Sequence, residues 1–168
     1  MTIPNSVTSI GGAAFSHSGL TSLTIPNSVS SIEEVTFQYC RNLESVCIPN
    51  SVTSIKQYAF SKCNSITTII SNVENPSYIE ENTFERDVYY NATLYVPKGT
   101  IDKYKSKRCW NQFVFIEEGI PNGIQRIEME KPIEKQIYMP NGTKIGKPQK
   151  GLNIIKYSDG ATKKVIVK

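Results

Sequence analysis

The side chains that could do chemistry are few and poorly placed to cooperate. His17 is the only histidine among 168 residues, and the four cysteines are Cys40, Cys47, Cys63 and Cys109. A cysteine or serine nucleophile needs a base within hydrogen-bond reach, and no such residue pairs with His17 by spacing. No C-x-x-C is present, which together with the single histidine speaks against a Cys/His metal site. Nor is there a Gly-rich phosphate loop, an H-E-x-x-H or a G-x-S-x-G. The carboxylate pairs Glu33/Glu34 and Glu80/Glu81 sit at i,i+1 and read as solvated surface. The expectation is a protein that is not an enzyme, with no catalytic residues, no cofactor and no metal ion.

What organises these residues is a repeat. Ile-Pro-Asn-Ser-Val occurs at Ile3, Ile25 and Ile48, and a worn fourth copy begins at Ile70. Aligned copies share columns: Ile10, Ile32, Ile55 and Ile79; Phe15, Phe37, Phe60 and Phe84; Leu20, Leu43 and Ile66; Leu23, Val46 and Ile69; Val7, Val29 and Val52. Each copy reads L-x-x-L-x-I-P-N-S-V-x-x-I-x-x-x-x-F. A unit this short cannot bury its own apolar face, so copies must stack on one another. The alternating end of L-x-x-L-x-I suits a half-buried strand. The proline after it ends the strand, because it has no N–H to give to a ladder. Asn-Ser supplies turn chemistry, and I-x-x-x-x-F forms the opposite, irregular wall. The expected fold is a β-rich repeat solenoid with a short irregular or helical convex side.

The stretch I-P-N-S-V-T-S-I-x-x-x-A-F-x-x-C at 48–63 resembles the BspA-type leucine-rich repeat of bacterial surface proteins. The resemblance is strong over residues 2–70 and looser to 116, where L-Y-V-P-K-G-T-I-D-K-Y (94–104), Trp110 and Phe113 are similar to the family's closing repeat. The second copy departs from it with Val35-Thr36-Phe37 in place of an Ala before Phe. Residues 137–145, 147–155 and 159–168 look like the C-terminal sorting domain of type nine secretion. These resemblances imply a cell-surface or secreted protein of bacterial origin, engaged in adhesion through protein or glycan contacts. The alternative is a passive spacer or scaffold module of a larger protein whose upstream domain carries the activity.

The expected organisation is a solenoid over 1–116, closed by a cap at about 94–116, then a linker at 117–126 and a small antiparallel β unit at 127–168. Within the cap, Lys98–Arg108 reads as a short helix, with Trp110, Phe113 and Phe115 covering the end of the stack. In the last unit, Asn141-Gly142 and Asp159-Gly160 between apolar runs are hairpin signals. The first rung begins at residue 2 with no apolar leader and no polar capping element ahead of it. That is expected of a piece of a longer protein, the favoured reading, or of an open rung. An open rung leaves Ile3, Val7 and Ile10 free for end-to-end self-association.

Residues 1–116 hold nine basic and nine acidic side chains, so the net charge of +4 comes from the C-terminal part. Eight lysines from Lys135 onward face a single acid, Asp159. No aromatic platform interleaves with them, so nucleic acid is not an expected partner. No apolar run is long enough to span a bilayer.

Cys40 and Cys63 share one column, three residues after their phenylalanines. A disulfide between adjacent rungs is geometrically allowed, but buried free thiols are the favoured reading. Cys47 falls on the outward strand column and is expected to be the most reactive thiol. The candidate binding surface is the concave face, with Thr21, Ser22, Thr24, Glu44, Ser45, Cys47, Thr67, Thr68, Ile70, Thr93 and Tyr95 pointing outward. On this reading Ile70 and Tyr95 are its apolar anchors. The phenylalanine column decides the stacking register. Phe37→Ala is expected to cost about 3–5 kcal/mol in denaturant unfolding, and a loss below about 1 kcal/mol would refute that register.

Overall fold

The computed structural model describes residues 3–77, 79–119, 136–140, 142–145, 150–156 and 162–167. The chain divides into two compact units, Met1–Arg126 and Ile127–Lys168. In the first, the strands are β1 (Ser22–Thr24), β2 (Ser31–Ile32), β3 (Ser45–Ile48), β4 (Ser54–Ile55) and β5 (Thr68–Ser71). The short helix α1 (Arg86–Asn91), β6 (Thr93–Val96), the five-residue helix α2 (Ile101–Lys105), a 3-10 turn at Trp110–Gln112 and β7 (Phe115–Glu118) complete it.

The strands β1, β3, β5, β6 and β7 form one sheet in that order, with every neighbouring pair parallel. The register follows the repeat. Leu23 pairs with Val46, Val46 with Ile69, Ile69 with Leu94, and Leu94 with Ile116. A smaller parallel pair, β2–β4, aligns Ile32 with Ile55. This is a mostly parallel arrangement with few helices, consistent with a repeat solenoid.

Packing within each rung explains why each repeat residue is what it is. The proline carbonyl accepts the valine N–H three residues on, from Pro4 to Val7, Pro26 to Val29 and Pro49 to Val52, at 3.0–3.1 Å. The serine between them ties one rung to the next. Ser28 Oγ donates to the Val7 carbonyl at 2.6 Å and Ser51 Oγ to the Val29 carbonyl at 2.7 Å. On the far wall the phenylalanines stack face to face. Ring centroids are 5.4, 5.3 and 5.1 Å apart along Phe15, Phe37, Phe60 and Phe84, and planes lie within 9° of parallel. Backbone bonds run beside them: Phe15 N–H to Thr36 O, Phe37 N–H to Ala59 O and Phe60 N–H to Thr83 O, each 2.9 Å. Thr36, which stands where Ala59 stands one rung later, is fully buried. Its hydroxyl is satisfied by the Glu33 carbonyl at 2.7 Å, so the exchange costs no buried polar group.

The backbone turns left-handed on both sides of Phe15, Phe37 and Phe60, and before Phe84. Two residues before, Ala13, Val35, Tyr58 and Asn82 have φ of 55–61°; two residues after, His17, Tyr39 and Lys62 have φ of 60–61°. None is glycine, and each such position costs roughly 1–2 kcal/mol for an ordinary side chain.

The C-terminal end of the stack is closed. Phe84 meets Tyr89 of α1 and Phe113 edge-on, at 5.9 and 5.7 Å between centroids. Tyr104 of α2 is buried, bonded to Ser71 Oγ at 2.5 Å and donating to the Val73 carbonyl at 2.8 Å. Trp110 Nε1 donates to the Ser77 carbonyl at 2.9 Å. Phe115, expected in this cap, is instead 51% exposed, because β7 continues the sheet and its pleat puts Phe115 beside Thr93. Glu117 and Glu118, expected to open the linker, belong to the same strand, since the ladder to β6 runs on to Val96 and Glu118.

At the other end the first rung is less bare than its sequence implies. Ile3 and Ile10, expected to be open, are each 5% exposed, while Val7, Phe15 and Leu20 are partly buried against the core.

In the second unit the strands are β8 (Gln136–Tyr138), β9 (Lys144–Ile145), β10 (Gly151–Lys156) and β11 (Thr162–Val167). Strand β10 lies between β8 and β11, and β9 flanks β8, all antiparallel. The expected turn residues Asn141 and Ser158–Gly160 lie outside the described residues.

The left-handed positions yield a stability prediction. Val35 is β-branched and tolerates positive φ worst, whereas Asn82 holds the equivalent place with a residue suited to it. Val35→Asn is expected to stabilise the protein by about 1 kcal/mol in chemical denaturation. A destabilisation would contradict the assigned backbone.

Candidate binding surface

The sheet presents one face to the core and one outward, and the outward columns are in register. Ser22, Ser45, Thr68, Thr93 and Phe115 align in one column, and Thr24, Cys47, Ile70, Tyr95 and Glu117 in the next. A third line is traced by backbone bonds from Glu44 N–H to Thr21 O and from Thr67 N–H to Glu44 O, at 2.8 and 3.0 Å. Thr21, Ser22, Glu44 and Thr67 are exposed; Thr24, Ser45, Cys47, Thr68, Thr93 and Tyr95 are half-buried.

Ile70 stands in the outward column but exposes little of itself there. Set in register between Cys47 and Tyr95, it is only 8% exposed, so it is not the apolar anchor its strand position suggested. Phe115, in register with Thr93 at the end of the neighbouring column, is a large apolar side chain that is exposed. The signal was present in the sequence, since Ile116 lies one repeat period beyond Leu94, but the aromatic run from Trp110 to Phe115 reads as cap. Nearby, Tyr90 and Val114 are also more than half exposed, and the Arg86 guanidinium sits 5.5 Å from the Tyr90 ring centroid. The Val114 N–H donates to the Tyr89 carbonyl at 3.0 Å, so this apolar corner forms where α1 ends and β7 begins.

The candidate chemical groups are spread over the molecule, and each is occupied structurally. The His17 ring stacks on Tyr39 at 4.5 Å, with Arg41 over the other ring at 5.6 Å. Glu80 pairs with Lys56 at 3.4 Å, Glu85 with Lys62 at 3.5 Å, and Glu81 with Arg108. Exposed pairs of this kind contribute little to stability. Burial is the largest single influence on the Glu85 carboxyl and pushes it up, but hydrogen bonds from the Lys62 N–H and the Ser61 hydroxyl, with the Lys62 charge, together outweigh it and hold the carboxyl below the usual range. Among the described residues no group of three or more His, Cys, Asp or Glu side chains is placed to hold a metal ion.

All four cysteines are free thiols. Cys40 donates to the Phe15 carbonyl at 3.1 Å and Cys63 to the Phe37 carbonyl at 3.0 Å, each reaching back one rung. Burial pushes the Cys63 thiol up to about 12. Cys47 is the most accessible of the four. Partial burial also raises its thiol, an effect that the amide of Asn72, 3.7 Å from the sulfur, only partly offsets.

Six copies of the BspA type leucine-rich repeat region match residues 1–111. The chain belongs to this family. Leucine-rich repeats generally mediate protein–protein interaction. The match ends before β7, so the last strand and its exposed phenylalanine lie beyond the matched repeats. No curated protein matches the chain. No helix among the described residues is long and apolar enough to cross a membrane.

The thiols set an alkaline limit on stability. A buried acid with a raised folded value keeps its proton when the unfolded chain has lost it, so stability falls as pH rises through that interval. For Cys63 the interval runs from 9.0 to about 12. The denaturation midpoint is expected to fall across this range, and Cys63→Ser is expected to flatten the fall. An unchanged slope in Cys63→Ser would show that the thiol is not the group responsible.

Proposed function

We propose that this chain is a non-enzymatic binding module of a cell-surface or secreted protein, engaging a protein or glycan partner across the outward face of its sheet. The observation that carries the reading is the in-register column Ser22, Ser45, Thr68 and Thr93, ending in the exposed ring of Phe115. Short hydroxyl side chains offer hydrogen bonds at a regular step with little conformational entropy to lose. An exposed aromatic ring at the end of that column adds the kind of anchor that dominates interface energetics. Family membership supports a protein partner, and BspA-type repeat proteins are often surface or secreted. The resemblance of residues 127–168 to a type nine sorting domain points the same way. A stack of this height is about 20 Å, modest beside the roughly 800 Å² that a standard interface uses on each side, so the partner is met by this face together with the aromatic corner.

The placement of the reactive groups supports a non-catalytic role: His17 stacks on an aromatic ring, and three of the four thiols are buried. The test is capture from an array of extracellular-matrix proteins and glycans. Phe115→Ala and Thr68→Glu are expected to weaken a detected contact at least tenfold, with the circular dichroism unchanged. Glu81→Lys, outside the sheet, is expected to leave it intact. Binding that responds to Glu81→Lys and ignores both sheet substitutions would overturn the assignment. Protease shaving of intact producing cells tests the location: release of peptides from residues 3–116 supports display, and protection until lysis contradicts it.

A further inference from the structure

The thiol column carries an inference that the ladder face does not. Cys40 and Cys63 each lie three residues after a ladder phenylalanine, and the rings of Phe37 and Phe60 are 5.3 Å apart. One oxygen links the two cysteines: the Phe37 carbonyl accepts the Cys40 N–H at 3.2 Å and the Cys63 thiol at 3.0 Å. Neighbouring rungs stand about 4.8 Å apart, inside the Cα separation of about 4.4–6.8 Å that a disulfide spans. The other cysteines have no such neighbour. Cys47 is flanked in register by Thr24 and Ile70, and Cys109 belongs to the cap.

We infer that Cys40 and Cys63 form a reversible redox lock between the rungs of Phe37 and Phe60, closed by a low-molecular-weight disulfide such as oxidised glutathione. One cysteine thiolate attacks the glutathione disulfide, forming a protein–glutathione mixed disulfide and releasing one glutathione thiolate. The second cysteine thiolate then attacks the protein sulfur of that mixed disulfide and releases the other glutathione. Two protein thiols are oxidised, one disulfide is reduced to two glutathione thiols, and these take up the two cysteine protons. To close the bond, Cys40 turns from the Phe15 carbonyl and the Ser18 hydroxyl, 3.1 Å from its sulfur on the rung below. Ser18 is half-exposed and recovers its hydrogen bond from water.

Both thiols are fully buried, so the oxidant reaches them only during local opening. The high value at Cys63 keeps the closed pair inert. The lock therefore closes where the rungs have opened and then holds them together, joining positions 23 residues apart in sequence.

The experiment incubates the full chain with excess oxidised glutathione, quenches with acid, blocks remaining thiols and maps non-reduced peptides. The expected product has lost two hydrogens, yields one cross-linked peptide joining Cys40 to Cys63, and reverts with dithiothreitol. Its denaturant midpoint is expected above that of the reduced protein. Cys40→Ser is expected to keep the fold, since Ser18 fills this column in the first repeat, and to give neither the cross-link nor the shift. A protein that stays reduced, that accumulates only glutathione adducts, that cross-links through Cys47 or Cys109, or whose linked form has an unchanged or lower midpoint would each overturn the proposal.

Discussion

The face-to-face stack of Phe15, Phe37, Phe60 and Phe84 is the constraint on which the rest of the first unit depends. Rings held 5.1–5.4 Å apart and nearly parallel fix the translation between rungs. Each repeat supplies only a few large apolar side chains, too few for a core of its own, so burial is shared between neighbours. That single step then sets the strand register on one wall, the serine-to-carbonyl bonds at the turn, and the thiol-to-carbonyl bonds beside the rings. The left-handed residues beside the phenylalanines, absent only after Phe84, are the local cost of bringing the rings into line. They recur because the stack dictates the path of the backbone there, whatever side chain the position carries.

Much of this was legible in the sequence because a repeat states each structural requirement several times. The columns at Ile32, Phe37, Leu43 and Val46 and their equivalents read directly as core, and the parallel register follows from aligning copies. The interruptions were harder. The helix at Arg86–Asn91 replaces part of a rung, and only Val88 and Tyr89 turn inward, too little periodicity to announce a helix. The fifth strand was hidden because Phe115 sits in an aromatic run whose other members, Trp110 and Phe113, are buried cap residues. On the binding surface the outward columns were found by alternation alone, but alternation cannot weigh neighbours. Ile70 points outward in the pattern and is nonetheless covered, between Cys47 and Tyr95 in the register.

The ends of the stack behave differently for the same reason. At the C-terminal side Tyr89 and Phe113 meet the last phenylalanine edge-on, and Tyr104 and Trp110 satisfy carbonyls of the preceding loop, so a change in ring orientation ends the ladder. At the first rung Phe15, among the described residues, has a stacked partner only in Phe37 and stays half-exposed, while Ile3 and Ile10 are already buried. The outward face is asymmetric as well: one column repeats a hydroxyl at Ser22, Ser45, Thr68 and Thr93 before it reaches Phe115, and Tyr95 adds a second aromatic side chain at the capped end.

Native-state hydrogen exchange of the amides of Phe37, Tyr39 and Phe60 tests the central claim most directly. Each of these N–H groups donates across a rung boundary to a carbonyl of the next repeat at 2.9 Å. If the rungs stand or fall together, all three exchange only with global unfolding and share one free energy of opening, above that of the first-rung amide of Phe15. Rapid exchange at Phe37 and Phe60, at rates typical of surface loops, would mean that the rungs are not coupled through the stack.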